Sequence, residues 1–410
     1  MAETKKMTLA QRMGITRTVT RPTEESDIQM REDRIGRYFR KYLDKFIFVE
    51  FSDAYLEKSK VKSIMKGIPI PLRKQDIKKF DGGNGLDASH IGENMAWVMG
   101  SDPKFKYTKK YVEFLKKLFN TKIDEGILKE GRDAAEKGDY DNACIHFRAA
   151  LCMNPGYLHA MYSYARVCRA MYMESDDTEY IGRFKAEALD WFELLTETHP
   201  RFANGYYYLG YAYLNMGLYA KADAAWGRFM NFGRNGKDRR EISKRRKQIK
   251  DPVRIEAACN DIAAGRMEQG LEVLEPFLDT QFKSWWPMHY YLGLAYKYTG
   301  RTADAVARFK HALTLNASHL ETMKELLGIY KQQNDKENVV KYTKKIAMIE
   351  ADIAQEQAQE EKKKQAIKGS AKGKAIKKIK SKDAKYASKE EKDRSKKATE
   401  RTKAGIKRLQ

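Results

Sequence analysis

From Gly131 to Val339, large apolar and small residues recur three and four positions apart, the spacing of one face of a helix, and the pattern itself recurs along the chain. Ala188, Phe192 and Pro200 stand 45 positions after Ala143, Phe147 and Pro155. Ala222 and Trp226 follow Ala188 and Phe192 by 34, and Val339 follows Ala305 by 34. An offset of 45 is one period of roughly 34 with about eleven residues inserted. Unrelated amphipathic helices have no reason to repeat glycine, turn and alanine in register, so the pattern predicts stacked copies of one helical hairpin. Neither helix of such a hairpin buries its apolar face alone, and the copies must pack on one another.

The unit is clearest at Ala203–Gly233. Tyr206, Leu209, Gly210 and Tyr213 mark a first helix, Gly217 and Tyr219 a turn, and Ala222, Trp226 and Phe229 a second helix. This resembles the tetratricopeptide repeat. Asp124–Gly156 carries Gly131, Gly138, Tyr140, Ala143, Phe147, Ala150 and Pro155, and Trp286–His319 carries Leu292, Gly293, Tyr296, Gly300, Ala305, Phe309 and Ala312. Leu158–Arg201 matches on Tyr164, Ala165, Ala188, Phe192 and Pro200, interrupted around Glu174–Ile181. Asp251–Phe282 and Leu320–Ala351 depart further, with Gly270 in place of the alanine in one and Thr343 in place of the large apolar residue in the other. The expectation is an all-α, right-handed superhelical solenoid of about six helix-turn-helix units over residues 124–351, with insertions near 174–181 and 234–250.

Outside the repeats, residues 1–33 are polar and expected to form a flexible arm. Residues 34–122 read as a mainly helical N-terminal unit of no recognised family, broken by Ile68-Pro69-Ile70-Pro71-Leu72 and by the turn cluster Asp81-Gly82-Gly83-Asn84-Gly85. Such a unit would cap the first repeat, whose end face is otherwise exposed. Residues 352–410 turn to Ala, Gln, Glu and then Lys; Ile349–Ile367 has the composition of a solvated helix, and the remainder is expected to be disordered.

Charge then separates body from appendages. Net charge is +23. Glu361–Gln410 holds 20 Lys and Arg against 6 Asp and Glu, Arg234–Lys250 holds 9 against 2, and the other 343 residues hold 50 against 48. The repeat body is near neutral and the two appendages are basic. Within them Arg239, Arg240, Lys244, Arg245, Arg246, Lys362, Lys363, Lys364, Lys377, Lys378 and Lys380 are candidates for neutralising a polyanion. Tyr386 is the tail's one aromatic, so any nucleic-acid binding there would be electrostatic and not sequence-specific.

Chemistry of the catalytic kind finds little support. The seven histidines form no HExxH or HxH spacing, no Ser sits in a GxSxG elbow, and Gly82–Gly85 lacks the residues of a P-loop or a dinucleotide site. Cys144, Cys152, Cys168 and Cys259 form no CxxC pair and read as reduced, buried thiols. No leader-like or membrane-spanning run is evident, the expected compartment is the cytoplasm, and no cofactor is expected. An enzyme hidden in Arg34–Asn120 remains the least supported alternative.

The resemblance implies a concave groove lined by the first helix of each unit. The matching positions are Leu128 and Arg132, then Tyr162, Arg166 and Arg169, then Asn204, Tyr207 and Tyr211, and in the fifth unit Tyr290, Lys297 and Tyr298. Aromatic and basic side chains of this kind suit an extended or helical acidic peptide; alternatively, the tyrosines merely pack between units. The carboxylate clamp that related repeat proteins use for chaperone tails is not assembled, since its places hold Leu128, Arg132, Ser163, Asn204 and Tyr208. The functional expectation is a non-enzymatic scaffold or adaptor for an acidic protein or peptide partner. The alternative is an RNA- or DNA-associated accessory protein that uses the basic segments, which could instead attract an acidic membrane or protein surface or be solvated tails with no specific role.

Overall fold

The computed structural model describes residues 33–51, 53–76, 88–119 and 123–373. The arm before Asp33, the Gly82–Gly85 turn and Lys377, Lys378 and Lys380 lie outside the described residues. The chain divides after Lys247.

In the first part, three hairpins follow one another: α6 (Ile123–Glu136) with α7 (Tyr140–Met153), α8 (Leu158–Met173) with α9 (Thr178–Thr198), and α10 (Ala203–Leu214) with α11 (Tyr219–Phe232). The turns of the first and third hairpins share one construction. Gly138 and Gly217 adopt φ of 76° and 71°, and the next residue's N–H returns to the carbonyl five positions back, Asp139 to Ala134 and Leu218 to Tyr213, at 3.0 Å. This left-handed glycine closure satisfies the end of the first helix and reverses the chain within a few residues.

Packing repeats as well. Gly131 and Gly210 each face an aromatic sixteen positions on: a Cβ on Gly131 would stand 2.6 Å from the Phe147 ring, and one on Gly210 2.2 Å from Trp226. Phe147 and Trp226 are 1% and 0% exposed. The absent side chain lets the ring reach the backbone of the opposite helix, where its full burial contributes on the order of 1.5–3 kcal/mol. In the second hairpin Ala165 and Phe192 hold these places, both fully buried. The eleven extra residues go into the Glu174–Asp177 connection and into α9, which runs 21 residues and is capped by Asp177, whose carboxylate accepts the Tyr180 N–H at 3.1 Å.

Ahead of the hairpins stand α1 (Gly36–Arg40), a 3-10 turn at Lys41–Lys45, β1 (Phe46–Val49), α2 (Asp53–Lys58), α3 (Lys62–Met65), β2 (Ile70–Arg73), a 3-10 turn at Lys74–Asp76, α4 (Ala88–Ser101) and α5 (Thr108–Phe119). The region expected to be mainly helical thus contains an antiparallel β1–β2 ribbon, with Phe46 opposite Arg73 and Phe48 opposite Pro71. In a two-stranded ribbon every strand is an edge, so Pro71 is tolerated despite its missing N–H.

Helix α4 lies directly on α7: a Cβ on Gly100 would meet the Ile145 carbonyl oxygen at 1.9 Å, and Arg148 Nε donates to the Gly100 carbonyl at 2.6 Å. Arg148 also forms a two-pronged pair with Asp33, at 2.7 and 2.9 Å. Asp33, expected to end a flexible arm, is instead held because a buried guanidinium needs a carboxylate.

Helix α12 (Gly236–Gln248) closes the first part. In the second part follow α13 (Lys250–Ala263) and α14 (Met267–Leu274), α15 (Trp286–Tyr298) and α16 (Thr302–Leu315), and α17 (Leu320–Gln332) and α18 (Lys336–Gly373). Gly265, Gly300 and Asn334 repeat the left-handed turn, with φ of 92°, 83° and 56°. Gly293 faces Phe309 as Gly210 faces Trp226, at 2.5 Å for the missing Cβ. In the last hairpin Thr343 is exposed and Tyr342, one position earlier, is buried instead, its ring stacked on Tyr330 at 5.7 Å. Helix α18 continues unbroken past Ala351, where the repeat pattern is expected to end, and its surface there is exposed.

Candidate protein-binding face

Helices α8 and α10 lie side by side, and their outward residues form one aromatic and basic cluster. Tyr162 of α8 packs edge-on against Phe202 at 5.1 Å and tilts against Tyr208 of α10 at 5.8 Å. Tyr208 is stacked on the buried Phe192 ring, 5.7 Å away and within 8° of parallel. With these rings fixed from behind, Arg166 lies over both Tyr162 and Tyr208 at 5.4 Å, and Arg169 lies over Tyr208 at 5.8 Å. Residues 162, 166 and 169 are three and four apart, which places them on one helical face.

Neither guanidinium forms an ion pair with a carboxylate among the described residues. Arg169 Nε is buried without a hydrogen-bond partner. Burial, and then the neighbouring Tyr208, push the Tyr162 hydroxyl up to about 12, so it stays a neutral donor and acceptor. Two forked cations beside tyrosine hydroxyls are a donor set for carboxylate or phosphate oxygens.

The other expected groove residues divide. Arg132 and Asn204 are exposed on the surface of their helices, whereas Leu128 is buried. Tyr207 and Tyr211 are not free contacts: both hydroxyls donate to Glu241 of α12, from Tyr207 at 3.2 Å, and burial together with Glu241 holds both above the usual tyrosine range. Glu241 stands 34 positions after Tyr207, so the segment 234–250, expected to be an insertion, carries a helix in the register of the next repeat's first helix. In the fifth unit Tyr290 is buried against Phe309 and His319, Lys297 pairs with Glu325 at 2.7 Å, and Tyr298 alone is widely exposed, at 65%.

The basic candidates divide in the same way. Arg246 is bound by both oxygens of Asp223, at 2.7 and 3.0 Å, and Arg239 donates to the Met230 and Gly233 carbonyls that end α11. Arg245 hydrogen-bonds Tyr211. Arg240 and Lys244 face solvent, as does Lys362 on α18; Lys363 and Lys364 lie on the same helix as Lys362.

Sequence reasoning did not bring Tyr208 into the α8–α10 cluster, nor Glu241 to the hydroxyls of Tyr207 and Tyr211. The period of 34 that links Glu241 to Tyr207 was the available signal.

The glycine-to-ring contacts sixteen residues apart, the left-handed turn residue and the period of 34 define the repeat. These are tetratricopeptide-type hairpins. No family model matches the chain, and no curated protein matches it. Among solved structures it is similar to the tetratricopeptide domain of P58(IPK), with 17% identity over 56% of this chain and 61% of that one and a TM-score of 0.34. It is also similar to the tetratricopeptide protein TTC0263 of Thermus thermophilus, with 17% identity, 53% and 99% coverage and a TM-score of 0.28. A tetratricopeptide repeat protein of Parabacteroides merdae gives 14%, 76% and 93%, and 0.28. The assignment of repeat type rests on the hairpin geometry itself.

Among the described residues no three His, Cys, Asp or Glu side chains gather as metal ligands, and no helix is long and apolar enough to cross a membrane.

Proposed function

We propose that this chain is a non-enzymatic scaffold that holds an acidic peptide segment of a partner protein on the α8–α10 face. Stacked helical repeats create extended binding surfaces by their architecture. The observation that supports this reading is the pair Arg166 and Arg169, laid over fixed tyrosine rings and unpaired with any carboxylate among the described residues. In this proposal the two guanidinium groups take carboxylates of the peptide, Tyr162 and Tyr208 supply apolar contact area with one hydroxyl each, and Asn204 and Arg132 extend the face. Tyr207 and Tyr211 act behind it by fixing α12 through Glu241.

The test is fluorescence anisotropy with labelled dodecapeptides ranging from acidic to basic. Acidic peptides should bind best, and Arg166→Ala with Arg169→Ala should weaken them by about 100-fold, since each hydrogen bond to a charged group contributes ~1.5–3 kcal/mol. Equal affinity for acidic and basic peptides, or an unaffected double variant with intact helicity, would contradict the proposal.

A further inference from the structure

The N-terminal region holds a cavity that the peptide-binding reading does not use. Lys45 at the end of the first 3-10 turn, Phe46 opening β1, Arg73 ending β2, Lys74 and Gln75 just beyond it, and Trp97 on α4 line a space of about 390 Å³. That volume lies in the range of small-ligand sites, about 300–1,000 Å³.

Its chemistry is uneven in a telling way. One wall is the half-buried Trp97 indole, set edge-on to Tyr42 at 6.0 Å and to His146 at 5.9 Å, so the ring is held from behind. The other walls bring in cations. Arg73 stands 5.4 Å and Lys45 5.7 Å from the indole, and Lys45 stands 4.7 Å from the Tyr42 ring. Arg73 is paired with Glu93 at 2.5 Å. Lys45 and Lys74 form no ion pair among the described residues, and both are exposed at the mouth. One carboxylate against three cations leaves the lining of the cavity with an excess of positive charge.

The geometry points to a nucleotide site: a phosphate held by Lys45, Lys74 and Arg73, with the base laid on Trp97. Three cationic side chains lining one cavity suit the three non-bridging oxygens of a phosphate better than a single carboxylate. The flat indole suits a base because every base presents a π-face, and such stacking is tolerant of base identity. A phosphate entering the cavity takes the two cations that now rest near the indole as its own donors, leaving the ring to the base. The same chemistry is presented by a free nucleotide and by a nucleotide within a single strand.

Calorimetric titration of the full-length chain with AMP, UMP, inorganic phosphate and an oligouridylate tests this. Nucleotides should bind more tightly than inorganic phosphate. Lys45→Ala with Lys74→Ala should weaken AMP by tenfold or more with an unchanged circular dichroism spectrum. Trp97→Leu should erase the advantage of AMP over phosphate, and Trp97→Phe should restore most of it. If the natural source is a strand, the oligouridylate binds more tightly than UMP, and the double lysine variant lowers its salt slope by up to about 0.7, the value for one phosphate contact. If the source is a free nucleotide, UMP binds as tightly as the oligomer. Phosphate binding as tightly as AMP, or nucleotide affinity and salt slope untouched by the lysine variant, would overturn the proposal.

Discussion

The same substitution should have opposite effects at two glycines of one hairpin. A methyl group at Gly210 would stand 2.2 Å from Trp226 Nε1 and 2.3 Å from Cδ1, whereas one at Gly227 meets nothing within 4 Å. Non-bonded carbons settle at about 3.5–4.0 Å, so Gly210→Ala requires the indole to retreat by roughly 1 Å or more. Trp226 has nowhere to go, being fully buried, with its Nε1 donating to the Tyr207 carbonyl at 3.2 Å and its ring against Tyr211 at 5.1 Å. Overpacking costs about 1–3 kcal/mol and the strained hydrogen bond about 1 more, while alanine regains about 1 kcal/mol of helix propensity over glycine. The balance is a loss of about 2 kcal/mol, or about 4–8 °C in melting temperature for a part of this size. Gly227→Ala keeps only the propensity gain and should stabilise by ~0.5–1 kcal/mol. Urea denaturation followed by circular dichroism reads both. Two variants that stabilise equally would refute the glycine-to-ring packing on which the repeat register rests.

Three further outcomes follow from buried polar groups. Arg148→Met strands Asp33 and removes the bond to Gly100, and should cost about 3–5 kcal/mol by urea denaturation; a loss below about 1 kcal/mol would show the pair to be incidental. Burial holds the Glu187 carboxyl above the usual glutamate range although Tyr164 and Trp191 both donate to it at 2.9 Å. Its neutral form therefore favours the fold, and that stability is lost as pH rises from the ordinary glutamate range through the raised folded value; Glu187→Gln should flatten the decline, and an unchanged profile would contradict it. Burial pushes the Cys152 thiol up to about 12 and also raises Cys168 and Cys259, so an aromatic disulfide reagent should label none of the three until the chain is unfolded.

The hairpins were legible because their determinants are local and periodic. Gly210, Gly217 and Trp226 lie within one unit, and the distances between them are fixed by two helices and a short turn. What escaped the sequence depends on partners far apart in the chain. The β1–β2 ribbon joins Phe46 to Arg73, Asp33 is held by a guanidinium 115 residues away, and Tyr208 takes its place only when Phe192 and Arg166 meet it from another hairpin. Composition also misled at 234–250. Its basic residues read as free charge, yet Arg239, Arg245 and Arg246 are spent on carbonyls, a phenol and a carboxylate of the preceding hairpin. Among the candidate groove residues, type and spacing were legible, but whether a tyrosine faced solvent or a glutamate of the next helix was not.

Amide hydrogen–deuterium exchange on the full-length chain, with and without a saturating acidic dodecapeptide, tests the peptide-binding face most directly. The account predicts new protection confined to α8 and α10 around Tyr162–Arg169 and Asn204–Tyr211, absent when Arg166 and Arg169 are both alanine. Protection confined to α18 and the basic segment after it, with α8 and α10 unchanged, would contradict it.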